Sequence, residues 1–532
     1  MSESPSLPVL SLSGSWEDLP HTGLSGELAR VLSAYMPGCR WFGSKSREIV
    51  SSEVESIHPV GPSRTGGGEV SGPFFLCVLL VSYRDGTTER YLFPLGQSAS
   101  GRLESKARIA RIEWRGEGPG STELVDGLYL PEMGRALLDL FGRSGALSGA
   151  QGEGSLGILT AEAFDRMRRS FSPDEEPVLF RGEQSNSSLL FGGALMLKCF
   201  RRLEPGINPD LEVGMFLEEE TRSRIIAPLG GAILGKTPAG EPLTFAMLQG
   251  FVANRGDGWS WMRDTLKKGV LDSEHGERIS SGPFGEKLSR MVLRIGTRTA
   301  ELHQSLARDP EDPDFAPVPL TPEDVGELVR SVGIRMEKTF DLLERNLDRL
   351  PPEVRPDGET VLERVSELRG LIGLRSQSGI LGEGYKIRCH GDFHLGQILV
   401  TPEEDVVFLD FEGEPAIPIA ERRRKSSPLL DLAGMLRSLH YVSRSVLGSS
   451  PDPAETLKSH RWFVESSEAY LSAYFRKMES GRDLLPSRGS IFRLLTVYLL
   501  RKALYELEYE MDNRPDWVGI PLVGILTLLA ER

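Results

Sequence analysis

Asp392, Gln397 and Asp410 are the residues of this 532-residue chain whose types and spacing best suit a reaction. Two apolar runs, Ile398-Leu399-Val400 and Val406-Val407-Phe408-Leu409, flank Thr401-Pro402-Glu403-Glu404-Asp405, a segment of turn and polar residues. That pattern predicts a β-hairpin. Folding it back carries Asp392 and Gln397, ahead of the first strand, to the same end as Asp410, behind the second. Three oxygen ligands then converge.

A carboxylate, an amide five residues on, and an Asp-Phe at a strand end reproduce the spacing of a kinase catalytic loop and its metal-binding Asp. Phosphoryl transfer leaves the protein little covalent work. A carboxylate orients the attacking hydroxyl, the role that suits Asp392, while Mg²⁺ neutralises charge building on the phosphates. Hard Mg²⁺ prefers oxygen and keeps several waters, so Gln397 and Asp410 suffice from the protein. Two other readings stand beside this one. His390, Asp392 and His394 alternate and on an extended segment could form a transition-metal site, which would leave Gln397 and Asp410 unexplained. The hairpin could also be purely structural, although Asp410 directly follows an apolar strand.

The run His390-Gly391-Asp392-Phe393-His394-Leu395-Gly396-Gln397, followed by Leu409-Asp410-Phe411-Glu412-Gly413-Glu414-Pro415, resembles the bacterial maltokinases, members of the aminoglycoside-phosphotransferase-like kinase superfamily. Glu421-Arg422-Arg423-Arg424, Ser427-Pro428-Leu429, Asp431 and Ala433-Gly434-Met435-Leu436-Arg437-Ser438 match the same pattern. The resemblance implies a two-lobed, protein-kinase-like α+β fold with an extra N-terminal β-rich cap domain over 1–145, a kinase-like N-lobe over 146–252 and a mostly helical C-lobe over 253–532. It implies transfer of the ATP γ-phosphoryl to the anomeric hydroxyl of maltose, with Mg²⁺-ATP held between the lobes. The product would be maltose 1-phosphate feeding α-glucan synthesis. It also implies association with trehalose synthase, and it gives His390, Glu412, Glu414, Arg437 and Tyr505 to the sugar. The rivals are a kinase of another sugar, such as glucosamine, and an inactive kinase-like partner of trehalose synthase. Intact Lys198, Asp392, Gln397 and Asp410 argue against inactivity.

The composition suits a small-molecule enzyme. Hydrophobic residues make up 39% and charged residues 26% of the chain, ordinary for a soluble protein of roughly three domains. A formal net charge of −14 opposes nucleic-acid and membrane partners. No apolar run is long enough for a transmembrane helix, and the first basic residue is Arg30, so neither a span nor a secretory signal is expected and a cytoplasmic location is. Cys39, Cys77, Cys199 and Cys389 match neither a zinc pattern nor a disulfide framework.

These residues need elements to position them. Residues 1 to about 20 read as a mobile lead-in and Leu24–Tyr35 as a helix. Arg40-Trp41-Phe42-Gly43-Ser44-Lys45-Ser46-Arg47 reads as a loop that either anchors two aromatics or offers Lys45 or Arg47 to phosphates. It resembles the start of the maltokinase amino-terminal domain, with Ser44 and Ser46 where that pattern has Ala or Gly. Phe74–Tyr83 and Glu89–Phe93 predict a hairpin turning at Asp85-Gly86, Pro131–Phe141 a helix and Ser144–Ser155 a linker. Val178-Leu179-Phe180, Leu189-Leu190-Phe191 and Ala194-Leu195-Met196-Leu197-Lys198 predict strands around the polar loop Gly182–Ser188, where Ser185 and Ser187 would cradle phosphates. Lys198 would meet the α- and β-phosphates, with Glu212, on a helix opening at Pro209, pairing it as the resemblance implies. The strand Phe245–Val252, including Gln249 and Phe251, matches the family segment that bonds adenine through its backbone. His303 reads as a core histidine on the buried helix Gly296–Leu306, and Glu337–Arg349 as a solvated helix face. The helix Phe492–Asp512, carrying Lys502, Tyr505, Glu506, Tyr509 and Glu510, precedes Asn513-Arg514-Pro515-Asp516-Trp517, which suits either disaccharide recognition or core packing.

Overall fold

Long runs of β-branched and aromatic residues build the first half of the chain into sheets, and amphipathic stretches build the second half into helices. The computed structural model describes the chain apart from residues 1–6, 13, 21–24, 62, 65–69, 116–121, 144–155, 173–174, 181, 183–184, 219–224, 273–282, 378–382, 415–416, 448–451 and 531–532. The expected linker Ser144–Ser155, Glu183 and Gln184 of the polar loop, and Pro415 of the quoted motif therefore lie outside the described residues. There are two compact units, Met1–Glu218 with Ala227–Val252, and Glu219–Ile226 with Ala253–Arg532.

The first unit holds a sheet in which Ile49–Val60, Phe74–Tyr83, Thr88–Ala99, Thr122–Asp126, Arg108–Trp114 and Val9–Leu12 lie in that spatial order. The hairpin expected at Asp85-Gly86 forms, with Gly86 at φ 82°, a value that suits glycine. A second sheet orders Val178–Phe180, Ser187–Phe191, Leu195–Cys199, Pro242–Gly250, Leu229–Lys236 and Gly157–Thr160, every pair antiparallel. One apolar cluster joins the two: Phe74, Leu76 and Val78 of the first, Leu189, Phe191 and Leu197 of the second, and Met133, Leu137 and Phe141 of the helix Pro131–Arg143.

The lead-in reading fails for residues 9–19. Val9–Leu12 pairs in parallel with Arg108–Trp114 as an edge strand. Leu10, Leu12, Trp16 and Leu19 are buried, and Trp16 Nε1 donates to the Pro73 carbonyl at 2.7 Å. Leu10 and Leu12 alternate as in a strand, but over only four residues, and Trp16 and Leu19 continue no such period, so the tertiary contacts reveal this segment. The Trp41–Arg47 loop is the aromatic anchor. Phe42 and Trp41 pack on Tyr91, and the Arg47 guanidinium lies 3.7 Å over the Tyr83 ring while bonding Asp85 and Glu89. Neither Ser44 nor Ser46 has a positive φ, so serine costs nothing at either position.

A buried ion pair crosses this unit. Arg201, just past the strand Leu195–Cys199, bonds Asp126 Oδ2 at 2.6 Å, and both residues are 1% exposed. Its Nε donates to Ser187 Oγ at 2.8 Å, so one guanidinium ties the strand Thr122–Asp126 to the strand Ser187–Phe191.

The second unit is helical around the small hairpin Ile398–Val400 and Val406–Phe408, whose register pairs Leu399 with Val407. Single bridges Asp257↔Leu399 and Ile226↔Phe408 brace both of its strands. The helices Pro322–Asn346, Arg488–Asn513 and Gly519–Ala530 share an apolar core. Helix Pro283–Leu306 packs on Pro453–Lys477 so closely at Gly296 that a Cβ there would overlap the Tyr470 carbonyl. Among the described residues, no helix is long and apolar enough to cross a membrane.

Asp126→Ala strands the Arg201 charge in the interior, and unpairing a buried ion pair costs about 3–5 kcal/mol. Chemical denaturation is expected to show a loss of that size, while replacing the exposed pair Arg84–Glu48, at 2.5 Å on the same sheet, shifts stability by less than about 1 kcal/mol.

Candidate active site

Everything around Asp392 hangs on one buried carboxylate. Asp431 opens the helix Leu429–Ser445 and is 1% exposed. Its Oδ2 accepts the His390 N–H at 2.8 Å and its Oδ1 the Gly391 N–H at 3.0 Å. His303 Nε2 lies 3.1 Å from the same Oδ2, and its Nδ1 is 2.9 Å from the Tyr474 hydroxyl. Burial opposes the Asp431 charge, but the bond and charge of His303, with His390 behind it, hold the carboxyl below its ordinary range. His303 is thus a satisfied core histidine, one whose partner grips the site loop. Gly434, one turn along that helix, lets the Phe393 carbonyl approach where a Cβ would overlap it.

This anchoring aims Asp392 at Lys502 of the helix Arg488–Asn513, with Oδ1 and Nζ 2.9 Å apart. Burial works against the Asp392 charge, and Lys502, followed by His394 and His390, overcomes it, so the carboxyl lies below its ordinary value. Lys502 is likewise opposed by burial and held above the ordinary lysine value by Asp392 and Glu414, whose Oε1 is 3.6 Å away. His394 sits 3.9 Å from Asp392, and burial keeps its imidazole below the usual value against the pull of that carboxylate. One ring nitrogen of each histidine has a backbone partner: His390 Nε2 donates to the Leu409 carbonyl, and His394 Nδ1 accepts from the Gly396 N–H.

Gln397 ends the turn Leu395–Gln397, and the hairpin brings its Nε2 to 3.3 Å from Asp410 Oδ2. Asp410 has φ 64°, a left-handed conformation that asparagine and aspartate tolerate better than other side-chain-bearing residues. The two oxygen-bearing side chains fit a hard divalent cation. The Glu412 carbonyl accepts from Arg422 Nη1 at 3.0 Å.

A cavity of about 690 Å³ opens in this unit beside Gly391 and Gly413, with Glu414, Arg422, Arg501 and Lys386 among its walls. Glu414 and Arg501 also border a smaller cavity together with Lys502 and Tyr505. Arg437 does not join them. It bonds Glu506 at 2.7 Å and donates to His440 Nδ1 at 3.0 Å, and it lines a different cavity with Leu436 and Gly524. An arginine inside an apolar helix pairs with whatever acid faces it, and here that acid is on the helix Arg488–Asn513. Trp517 stacks on Tyr441 at 6.1 Å and faces Trp259 at 6.3 Å, an aromatic cluster on the Asn513–Trp517 segment.

In the first unit, Lys198 Nζ bonds Asp210 Oδ2 at 2.9 Å, and both are buried. Asp210 lies in the first turn of the helix Pro209–Phe216, two residues ahead of Glu212, which is also buried. Ser185 is exposed, and the Ser187 hydroxyl holds Arg201. The Gln249 amide reaches Met196 Sδ at 3.7 Å. The Phe251 N–H donates to the Ala194 carbonyl at 2.8 Å, because the strand pairing of Leu195 with Gly250 continues one residue further.

The arrangement invites comparison with known proteins. A glucosamine kinase structure in complex with glucosamine, ADP and inorganic phosphate superposes with a TM-score of 0.62 at 19% identity, covering 97% of this chain and all of the other. The chain has a kinase-like fold. A further glucosamine kinase crystal form aligns at TM-score 0.60 and 20% identity, over 90% of this chain and 94% of the other. Among curated proteins, the glucosamine kinase of Streptacidiphilus jiangxiensis is 26% identical over 66% of this chain and 73% of its own length. That of Mycolicibacterium smegmatis is 24% identical over 80% and 92%. No protein-family model matches the chain.

The roles of Asp431, Lys502 and Asp210 came from tertiary packing and not from any sequence signal: a buried acid in an apolar helix, a lysine in the middle of the helix Arg488–Asn513 that meets Asp392, and an acid in the first turn of the helix Pro209–Phe216. Asp431→Asn tests the first. Because the folded carboxyl is held low, its contribution is complete above the unfolded value of about 3.9 and disappears as pH falls through the folded value. Denaturant titrations are expected to show the wild type more stable than the variant near neutrality, with the gap closing in acid. A gap independent of pH would contradict the carboxylate's role.

Proposed function

We propose that this protein is an ATP-dependent sugar kinase that phosphorylates maltose on its anomeric oxygen. The observation that carries the reading is Asp392, a partly buried, ionised carboxylate held by Lys502 beside the cavity, with the Gln397–Asp410 pair at the end of the adjoining hairpin. The cavity, about 690 Å³, lies inside the range of small-molecule pockets, roughly 300–1,000 Å³, and a disaccharide fills more of it than a single ring does. Asp392 would accept a hydrogen bond from the acceptor hydroxyl, orient its lone pair toward the γ-phosphorus and take the proton as the new O–P bond forms and the bond to the departing ADP breaks. A carboxyl held below its usual value is a weak base. It suits an anomeric hydroxyl, which is more acidic than an alkyl one, and a proton that leaves late. Gln397 and Asp410 would hold Mg²⁺, which neutralises charge on the phosphates. Lys198 with Asp210 would serve the nucleotide phosphates, and Glu414, Arg422, Arg501 and Tyr505 the sugar. The maltokinase resemblance over Glu412–Pro415 and Glu421–Arg424 supports maltose. Association with trehalose synthase belongs to the same reading.

Glucosamine is the second reading, favoured by the names of the relatives. Specificity constants for maltose, glucose, glucosamine and trehalose, with product analysis by phosphorus NMR, separate the two. Maltose 1-phosphate is expected as the best product and trehalose, lacking a free anomeric hydroxyl, as inert; a 6-phosphate product would refute the assignment.

Asp392→Asn is expected to lower turnover by at least about 10²-fold while nucleotide binding survives. Asp410→Asn retains a side chain that tolerates the left-handed backbone but removes the charge. It should therefore raise the Mg²⁺ requirement more than Gln397→Ala does, as read from turnover against Mg²⁺ concentration.

A further inference from the structure

Lys502 fills a cation site with the protein's own charge. Its ammonium touches Asp392 at 2.9 Å and Glu414 at 3.6 Å and lies 5.1 Å from the centre of the Tyr505 ring. Two carboxylates and an aromatic face are the groups a protein assembles to receive an ammonium ion. Building on the reading of Asp392 as the base, we propose that Lys502 is the residue that reserves the acceptor site for uncharged sugars and excludes amino sugars.

An amino sugar that presents a hydroxyl to Asp392 carries its ammonium within one ring's width of that carboxylate. The position between Asp392 and Glu414 that this ammonium would take is already filled by the Lys502 ammonium. The Lys502 side chain is only 18% exposed, and its ammonium is held in the site by the two carboxylates. Arg335, paired with Glu508 at 3.6 Å, lies 5.5 Å over the same Tyr505 ring, and Arg335 and Arg501 border both cavities. A neutral sugar meets the opposite situation, because its hydroxyl oxygens accept from the ammonium while their hydrogens serve the carboxylates. Between close like charges in a partly buried site, the discrimination is on the order of 10-fold to 10²-fold.

Glucose and glucosamine differ only at C2, so the ratio of their kcat/KM values isolates the charge from any general damage to the site. The wild type is expected to use glucosamine at less than about one tenth of its efficiency with glucose. Lys502→Met should raise that ratio by about 10-fold or more even as both rates fall, with Lys502→Gln as the substitute if the methionine variant does not fold, and Lys502→Arg should leave it low. A wild type that uses both sugars equally, or a ratio unchanged in the uncharged variants, overturns the inference. If maltose is still phosphorylated in that case, the sugar-kinase reading stands without it; if no sugar elicits ADP release, both fall.

Discussion

The geometry of the second unit depends on the ionised Asp431 carboxylate being buried among partners. Two backbone N–H groups, from His390 and Gly391, and one imidazole, from His303, converge on its two oxygens. Unmade, each of those bonds would leave a desolvated donor costing about 1–3 kcal/mol. Made, they define where the loop is held against the helix Leu429–Ser445 and hence where Asp392 points. Gly434 completes the constraint, since only a residue without a Cβ lets the Phe393 carbonyl lie against that helix.

The Asp392–Lys502 pair uses that constraint. A carboxylate buried without a partner would take up a proton and cease to accept one from a substrate. Lys502 prevents this at the expense of basicity, leaving a charged, well-oriented, weakly basic group. Such a group works by holding a hydroxyl in line, which is the larger part of what phosphoryl transfer asks of a protein. Glu414 shares the same ammonium, so the loop beyond Asp410 is tied to the loop containing Asp392 through one side chain on a distant helix.

In the first unit, Arg201 plays the comparable role. Its guanidinium serves Asp126 and Ser187 from opposite sheets of one apolar cluster. This explains why a serine at the head of the strand Ser187–Phe191, which by type suits a phosphate, is occupied by a structural bond. The Phe251 N–H likewise bonds Ala194, because the strand ladder takes up the next amide in register.

Local order was legible in the sequence wherever a period or a turn residue wrote it. The hairpin Ile398–Phe408 with Gln397 and Asp410 at one end, the three strands around Lys198, the turn at Gly86 and the helices Pro131–Arg143 and Arg488–Asn513 follow from alternation, apolar spacing and turn chemistry. The burial of Val9–Leu19, the pairing of Lys198 with Asp210, the diversion of Arg437 to Glu506 and the meeting of Asp392 with Lys502 did not. Each joins residues through contacts that carry no sequence period, and a charged side chain on a helix has several acids within reach until packing removes all but one. Residue type and local spacing therefore determined which groups could do chemistry, and tertiary burial decided which of them are paired, which are presented to the cavity and which charge Asp392 faces.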